Sequence, residues 1–354
     1  MSESPMSDGR HFDFRSDNVA GVAPEVLTAL AAAAGGSVTS YGEDPITQRV
    51  EARLKDLFGH DLTLFTVATG SAANALALAH LVPGWGAVLC HREAHIATDE
   101  CGAPEFFSSG AKLAPLDGAH GKITAEAAAA YLARDTRGVH HSQPMAISIS
   151  QSTEAGTCYT PDEVAAIGAV VRKHGLKFHM DGARFANGLA SLRCSPAEVT
   201  WRAGVDALSF GVTKNGAMAA EAVIFFDTAL AQDFGYRRKR GGHLFSKGRF
   251  AAAQFDAQLT DGLWLRLAAN ANAMASRIAQ GLAGIPGVSL LHPVEANELF
   301  VLMPERVIES LEAAGFLFYR WPADEGPCIR LVTAFDTEAA HADGLVAAIR
   351  QTAR

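Results

Sequence analysis

A repeating rhythm constrains this chain more than any other feature: short apolar segments, most of them followed by a helix-forming stretch. The apolar segments are 62–68 (LTLFTVA), 86–90 (GAVLC), 146–150 (AISIS), 176–181 (LKFHMD), 207–214 (ALSFGVTK) and 220–226 (AEAVIFF). The helical stretches follow residue 69, cover 125–133, and run from Pro161 to His174. Such β-then-α repetition predicts an α/β fold, a mostly parallel sheet with helices on both faces. Two helices should precede it. One is Pro24–Ala34, with proline in its first turn and Gly35-Gly36 as its stop, and the other is Pro45–Phe58.

After 251–285, a long helical stretch leading out of the sheet, the pattern changes. Strand candidates VSLLHP, ELFVLMP and CIRLVTAF alternate with helices at 304–314 and 337–350, which predicts a small α+β C-terminal domain. The division expected is a large domain over 13–250, then a linking helix and the small domain over 251–354, with N-terminal residues joining the latter. Residues 1–12 read as a frayed tail. A chain of 354 residues is long enough for both units.

Composition narrows the partners. Charged residues make up 19%, below the roughly one quarter usual for soluble domains. An apolar-rich surface of this kind predicts burial in an oligomer. The net charge of −8 argues against nucleic acid as a main partner. No apolar run has the length of a membrane span, and the opening MSESPMSDGRHF has no apolar signal core. The five cysteines are scattered without a C-x-x-C pair, which fits reduced thiols in the cytoplasm and neither a disulfide framework nor a metal site.

Ligands of open α/β sheets bind beyond the carboxyl ends of the strands, and the unusual polar residues sit there. Thr69-Gly70-Ser71 ends one strand and opens a helix, a ready seat for a phosphate, although the same residues cap ordinary helices. It is neither a G-x-G-x-x-G nor a Walker lysine motif, so nicotinamide and ATP readings lose ground. Asp181, in HMDGAR, ends an apolar strand and would be costly there without a cation, either Arg184 or a pyridinium N–H. Lys214 follows the next strand among glycines and small residues, a setting that favours loss of its proton and attack on a carbonyl.

Together the segments FRSDNVAG, YGEDP, ATGSAAN, EAHIATDECGAPEFF, HMDGARFANG, SFGVTKNG, RRKRGGHLFSK and IRLVTAF resemble the low-specificity L-threonine aldolases, their phenylserine-aldolase branch in particular. The resemblance runs from about residue 12 to the C-terminus. It implies a pyridoxal 5'-phosphate enzyme of the PLP-dependent transferase-like fold (fold type I), a homodimer or homotetramer with sites at subunit interfaces. It makes Lys214 the residue that forms an imine with the cofactor, Asp181 the partner of the pyridine nitrogen, and Gly70 with Ser71 the phosphate cradle. His95 would stack on the ring and Arg184 would lie near the phenolic oxygen and the substrate carboxylate. Ser16, Lys239 and Arg330 match carboxylate-binding positions, and Tyr41 would reach a neighbouring subunit's site.

Three departures stand out. A second histidine common in such proteins is replaced, Thr153 being the residue expected at its place. Ala72 stands where a glutamine is common, and an arginine usual near Ser246 is absent, with Lys247 beside it. The implied reaction is retro-aldol cleavage of a β-hydroxy-α-amino acid to glycine and an aldehyde. His95 is the first candidate base, helped by water or Glu100. Another lyase or racemase reaction on the same frame is the alternative.

Overall fold

The computed structural model describes residues 13–134 and 137–353, so the expected tail at 1–12 lies outside them. In chain order the elements are α1 (Pro24–Ala33), α2 (Pro45–Phe58), β1 (Thr63–Val67), α3 (Gly70–Leu81), β2 (Gly86–His91), α4 (His95–Thr98), α5 (Ala103–Phe107) and β3 (Lys112–Leu116). Next come α6 (Ala125–Leu132), β4 (Gln143–Ser150), α7 (Pro161–His174), β5 (Lys177–Gly182), α8 (Phe185–Leu192), β6 (Ala207–Gly211) and β7 (Glu221–Phe225). The chain ends with α9 (Phe234–Arg240), α10 (Arg249–Leu259), α11 (Leu263–Leu282), β8 (Ser289–Leu290), β9 (Glu298–Leu302), α12 (Glu305–Ala313), β10 (Tyr319–Trp321), β11 (Cys328–Val332) and α13 (Ala339–Thr352).

Seven strands form the large sheet in the order β1-β7-β6-β5-β4-β2-β3. Neighbours from β6 to β3 are parallel, whereas β7 is antiparallel to both β6 and β1. The reason is the short link between β6 and β7, which leaves no room for the helical crossover that a parallel return needs. The edge strand β3, KLAPL, was not expected; its Pro115 is tolerated because an edge strand has one unpaired side.

Local chemistry explains the helix ends. Asp44 caps α2 by accepting from the Ile46 and Thr47 N–H groups at 3.1 and 3.0 Å, Pro45 opens the helix, and Gly59 closes it at φ 60°. Val50, Leu54 and Phe58 form its buried stripe. Helix α3 is different. Apart from Gly70, Ser71 and His80 it is buried all round, packed on the large sheet, so its GSAANALALAHL sequence has no polar face to show.

The expected single helix over 251–285 is two. Thr260-Asp261-Gly262 breaks it, with Asp261 and Gly262 at φ 49° and 65°, and α11 starts afresh at Leu263. The start of α11 (Trp264, Ala268) packs with the large-sheet core, while Ala275, Ile278 and Leu282 pack with a second core. That second core belongs to a small antiparallel sheet, β10-β11-β9-β8, and includes Phe14 near the N-terminus. Phe14 is tied there through backbone bonds with Leu317 and Val332. Among the described residues no helix is long and apolar enough to cross a membrane, and all five cysteines are free.

Candidate active site

The carboxyl ends of the parallel strands and the N-terminus of α3 enclose a cavity of about 290 Å³. Gly70, Ser71, His95, Asp181, Arg184 and Lys214 all line it, joined by Asn74, Ser150, Ser152, Glu154 and Glu221 among others. Strand β6 ends at Gly211, earlier than expected, and Lys214 is carried by a single helical turn, Thr213–Asn215. Lys214 has no hydrogen-bond or ion-pair partner among the described residues.

At the end of β5, Asp181 accepts from the Ala183 N–H at 2.9 Å and from Asn74 Nδ2 at 2.7 Å. The same Asn74 amide donates to Glu100 at 2.8 Å, so one side chain of α3 fixes two carboxylates. Behind Asp181 on the same strand, His179 lies between Ser148 Oγ at 2.9 Å and Ser209 Oγ at 3.0 Å. Burial pushes this imidazole down to about 4, so it is neutral at physiological pH and braces the three central strands.

The cap Thr69 accepts from Ala72 N–H at 3.2 Å, while the N–H groups of Gly70 and Ser71 meet no acceptor among the described residues. A Cβ placed on Gly70 would meet nothing within 4 Å, so the helix end opens onto free space. An exposed helix N-terminus of this kind attracts an anion.

His95 Nδ1 donates to Glu100 at 3.0 Å, and this carboxylate raises the imidazole pKa above its ordinary range. Glu100 is itself raised, because burial outweighs its hydrogen bonds. Arg184 donates to Asp17 through Nε at 2.7 Å and Nη2 at 3.0 Å, and its Nη1 lies 3.5 Å from Glu298. Although burial opposes it, the paired carboxylates hold this guanidinium firmly charged.

Four expected site residues are not in the cavity lining. Ser16 instead caps the turn Asp17–Val19, accepting from Asn18 N–H at 3.1 Å. Tyr41 and Lys239 meet each other, the ammonium 5.3 Å from the ring centre. Within RRKR it is Arg238 that turns inward, donating to Thr66 at 3.1 Å, with burial lowering it to about 10. Arg330 Nε donates to Glu298 and its guanidinium lies 5.4 Å from the centre of Trp321.

Thr153 is also turned away. Fully buried, it contacts Thr157 Oγ1 at 2.8 Å and donates to the His120 carbonyl at 3.3 Å. Its neighbour Glu154 borders the cavity instead, a residue that sequence reasoning passed over. Glu221 was missed as well. A glutamate inside the apolar run AEAVIFF is unusual and was the available signal; burial raises it to about 7 although Lys214 opposes this. Asn74 and Asp17 carried no local signal at all.

Comparison with known proteins places this geometry. The seven-stranded sheet and small antiparallel domain match the fold-type-I pyridoxal-phosphate enzymes: mouse CSAD shares the fold with a TM-score of 0.74 at 15% identity, over 98% of this chain and 84% of that one. A threonine aldolase of Leishmania major superposes with a TM-score of 0.90 at 29% identity, over 97% of this chain and 100% of that one. The family model of the beta-eliminating lyases matches residues 13–306, and the chain belongs to that family and is a lyase. It is 46% identical over 325 residues to a low specificity L-threonine aldolase of Pseudomonas aeruginosa, covering 92% of this chain and 93% of the relative. It is 44% identical over 337 residues to another from a Pseudomonas species, covering 95% and 96%.

Proposed function

We propose that this lyase is a pyridoxal-phosphate-dependent aldolase that cleaves β-hydroxy-α-amino acids of the threonine and phenylserine type to glycine and an aldehyde. One observation carries the reading: an unpaired Lys214, a buried Asp181 and the open N-terminus of α3 face a single cavity. The names of the near full-length relatives support it.

The donor set fits the cofactor. The free N–H groups of Gly70 and Ser71 suit its phosphate. Asp181, oriented by Asn74 and Ala183, suits its ring N–H, and the amine of Lys214 suits its carbonyl end. When bound, pyridoxal phosphate supplies an electron sink for the pair left at Cα. The chain supplies the rest. His95, its position fixed by Glu100, would help to hold the cofactor ring, and Arg184 would serve its phenolic oxygen and the substrate carboxylate.

Arg330, with Ser16, holds the substrate carboxylate after exchanging Glu298 for it. That grip would fix the orientation of the substrate, and with it which bond at Cα is broken. Tyr41 and Lys239, away from the cavity in their own chain, act across a subunit interface in a homodimer or homotetramer. The same reading divides the chain into 13–250 and 251–354.

The test is direct. Purified protein incubated with pyridoxal phosphate should gain a visible absorbance and release acetaldehyde from L-threonine and benzaldehyde from L-phenylserine. A protein that stays colourless sinks the reading; a coloured protein that releases no aldehyde moves it to another reaction of the family.

A further inference from the structure

Just beyond the end of β4, Glu154 borders the cavity on the His95 side. Its Oε1 accepts the His95 backbone N–H at 2.8 Å and the Ser150 hydroxyl at 2.7 Å. Its Oε2 is shielded from water and has no hydrogen-bond partner, and the Ser152 hydroxyl beside the same cavity is likewise unpartnered. A buried carboxyl oxygen left alone in this way is costly unless a ligand or a proton completes it. Its surroundings disfavour charge. Asp181, Cys90, Tyr159, Arg184 and His95 face it from the neighbouring elements, and only Arg184 is a fixed cation.

Resting on the aldolase reading above, we infer that Glu154 carries the substrate's β-hydroxyl proton. In cleavage the O–H bond breaks and its proton passes to the Glu154 carboxylate. The O–H electron pair becomes the second bond of the aldehyde carbonyl, and the Cα–Cβ pair stays at Cα. The proton then moves from Glu154 to Cα, so glycine and aldehyde leave and the carboxylate is regenerated.

Two features favour Glu154 over His95. The imidazole already donates to Glu100, and that pairing favours its charged form, which cannot accept a proton. Burial and the nearby Asp181 bring Glu154 to about 7, where it both takes and returns a proton readily at neutral pH. His95 then stays hydrogen-bonded to Glu100, and Glu154 helps to set its place through the backbone N–H.

Glu154→Gln separates carrying a proton from holding His95, because the amide keeps an acceptor for both the His95 N–H and the Ser150 hydroxyl. The expected variant binds pyridoxal phosphate with wild-type absorbance, while aldehyde release falls by about a hundredfold to ten-thousandfold. Glycine α-proton exchange with heavy water should fall with it. In cofactor-free protein the infrared carboxyl signal that titrates through neutral pH should lose one component. Glu154→Asp, which keeps an acid, should recover part of the turnover with a displaced pH profile. Turnover within a few fold of wild type in Glu154→Gln overturns the proposal, as does loss of cofactor binding in both variants, which makes Glu154 a support for His95 only. If the wild-type protein itself neither colours nor cleaves, the aldolase reading has failed instead.

Discussion

Glu221 opens β7 and Glu298 opens β9; only 6% and 1% of their surfaces are accessible, and a cation lies near each. Around Glu298 the charges are closed. Arg330 donates to one oxygen and Arg184 lies 3.5 Å from the other. Around Glu221 they are open. Burial raises the acid to about 7, and Lys214 makes no ion pair among the described residues. A closed buried pair holds two strands together, but it removes its cation from chemistry until something displaces the carboxylate. An open one leaves its lysine side chain unpaired among the described residues.

Lys214→Ala tests the open side and should have the largest effect. Cofactor absorbance of the bound form should vanish, and aldehyde release should fall by on the order of a thousandfold or more, with the folded protein retained. Near-normal cleavage in this variant would falsify the assignment of the amine.

Arg330→Ala tests the closed side. Loss of a charge-assisted bond to the substrate carboxylate costs about 1.5–3 kcal/mol, so KM for L-threonine should rise by roughly tenfold to a hundredfold with cofactor absorbance unchanged. An unchanged KM would mean that Arg330 serves only Glu298. The complementary Glu298→Gln removes the competing charge, and KM should then fall by a few fold. A rise would show that Glu298 positions the two arginines rather than competing with substrate.

The contrast also marks what the sequence made legible. Lys214, Asp181 and Gly70-Ser71 each lie at the end of an apolar strand or within a few residues of it, so local pattern and the rule of strand ends were sufficient to pick out these cavity-lining residues. Whether a cation is free depends on residues far along the chain. Asn74 reaches Asp181 across 107 positions and Asp17 reaches Arg184 across 167. Arg330 and Glu298 meet because their strands pair so that Arg330 stands opposite Phe300 and Val332 opposite Glu298, a diagonal on one face of the small sheet. Register of this kind is set by packing. The antiparallel β7 and the break at Thr260-Asp261-Gly262 had local signals, a short link and a turn sequence, that lost out to the stronger apolar pattern around them.

The smallest effect should come from Glu221→Gln, read as stability of the cofactor-free protein. The folded-state pKa of Glu221 lies above the ordinary 4.5, at about 7. A raised pKa means that the folded state binds the proton more tightly than the unfolded state. Its contribution is therefore fully present below 4.5, is lost as pH rises through about 7, and then levels off. Glutamine stays neutral throughout, so the variant should gain on wild type by a few degrees in Tm across that window and by nothing further above it. Combining it with Lys214→Ala sharpens the result, since the lysine charge restrains the shift in Glu221. On the alanine background the Glu221→Gln gain should extend to higher pH. A flat difference with Lys214 present, alongside a pH-dependent one on the alanine background, would mean that Glu221 is ionised beside Lys214, and the two carboxylate–cation pairs would then differ in geometry alone.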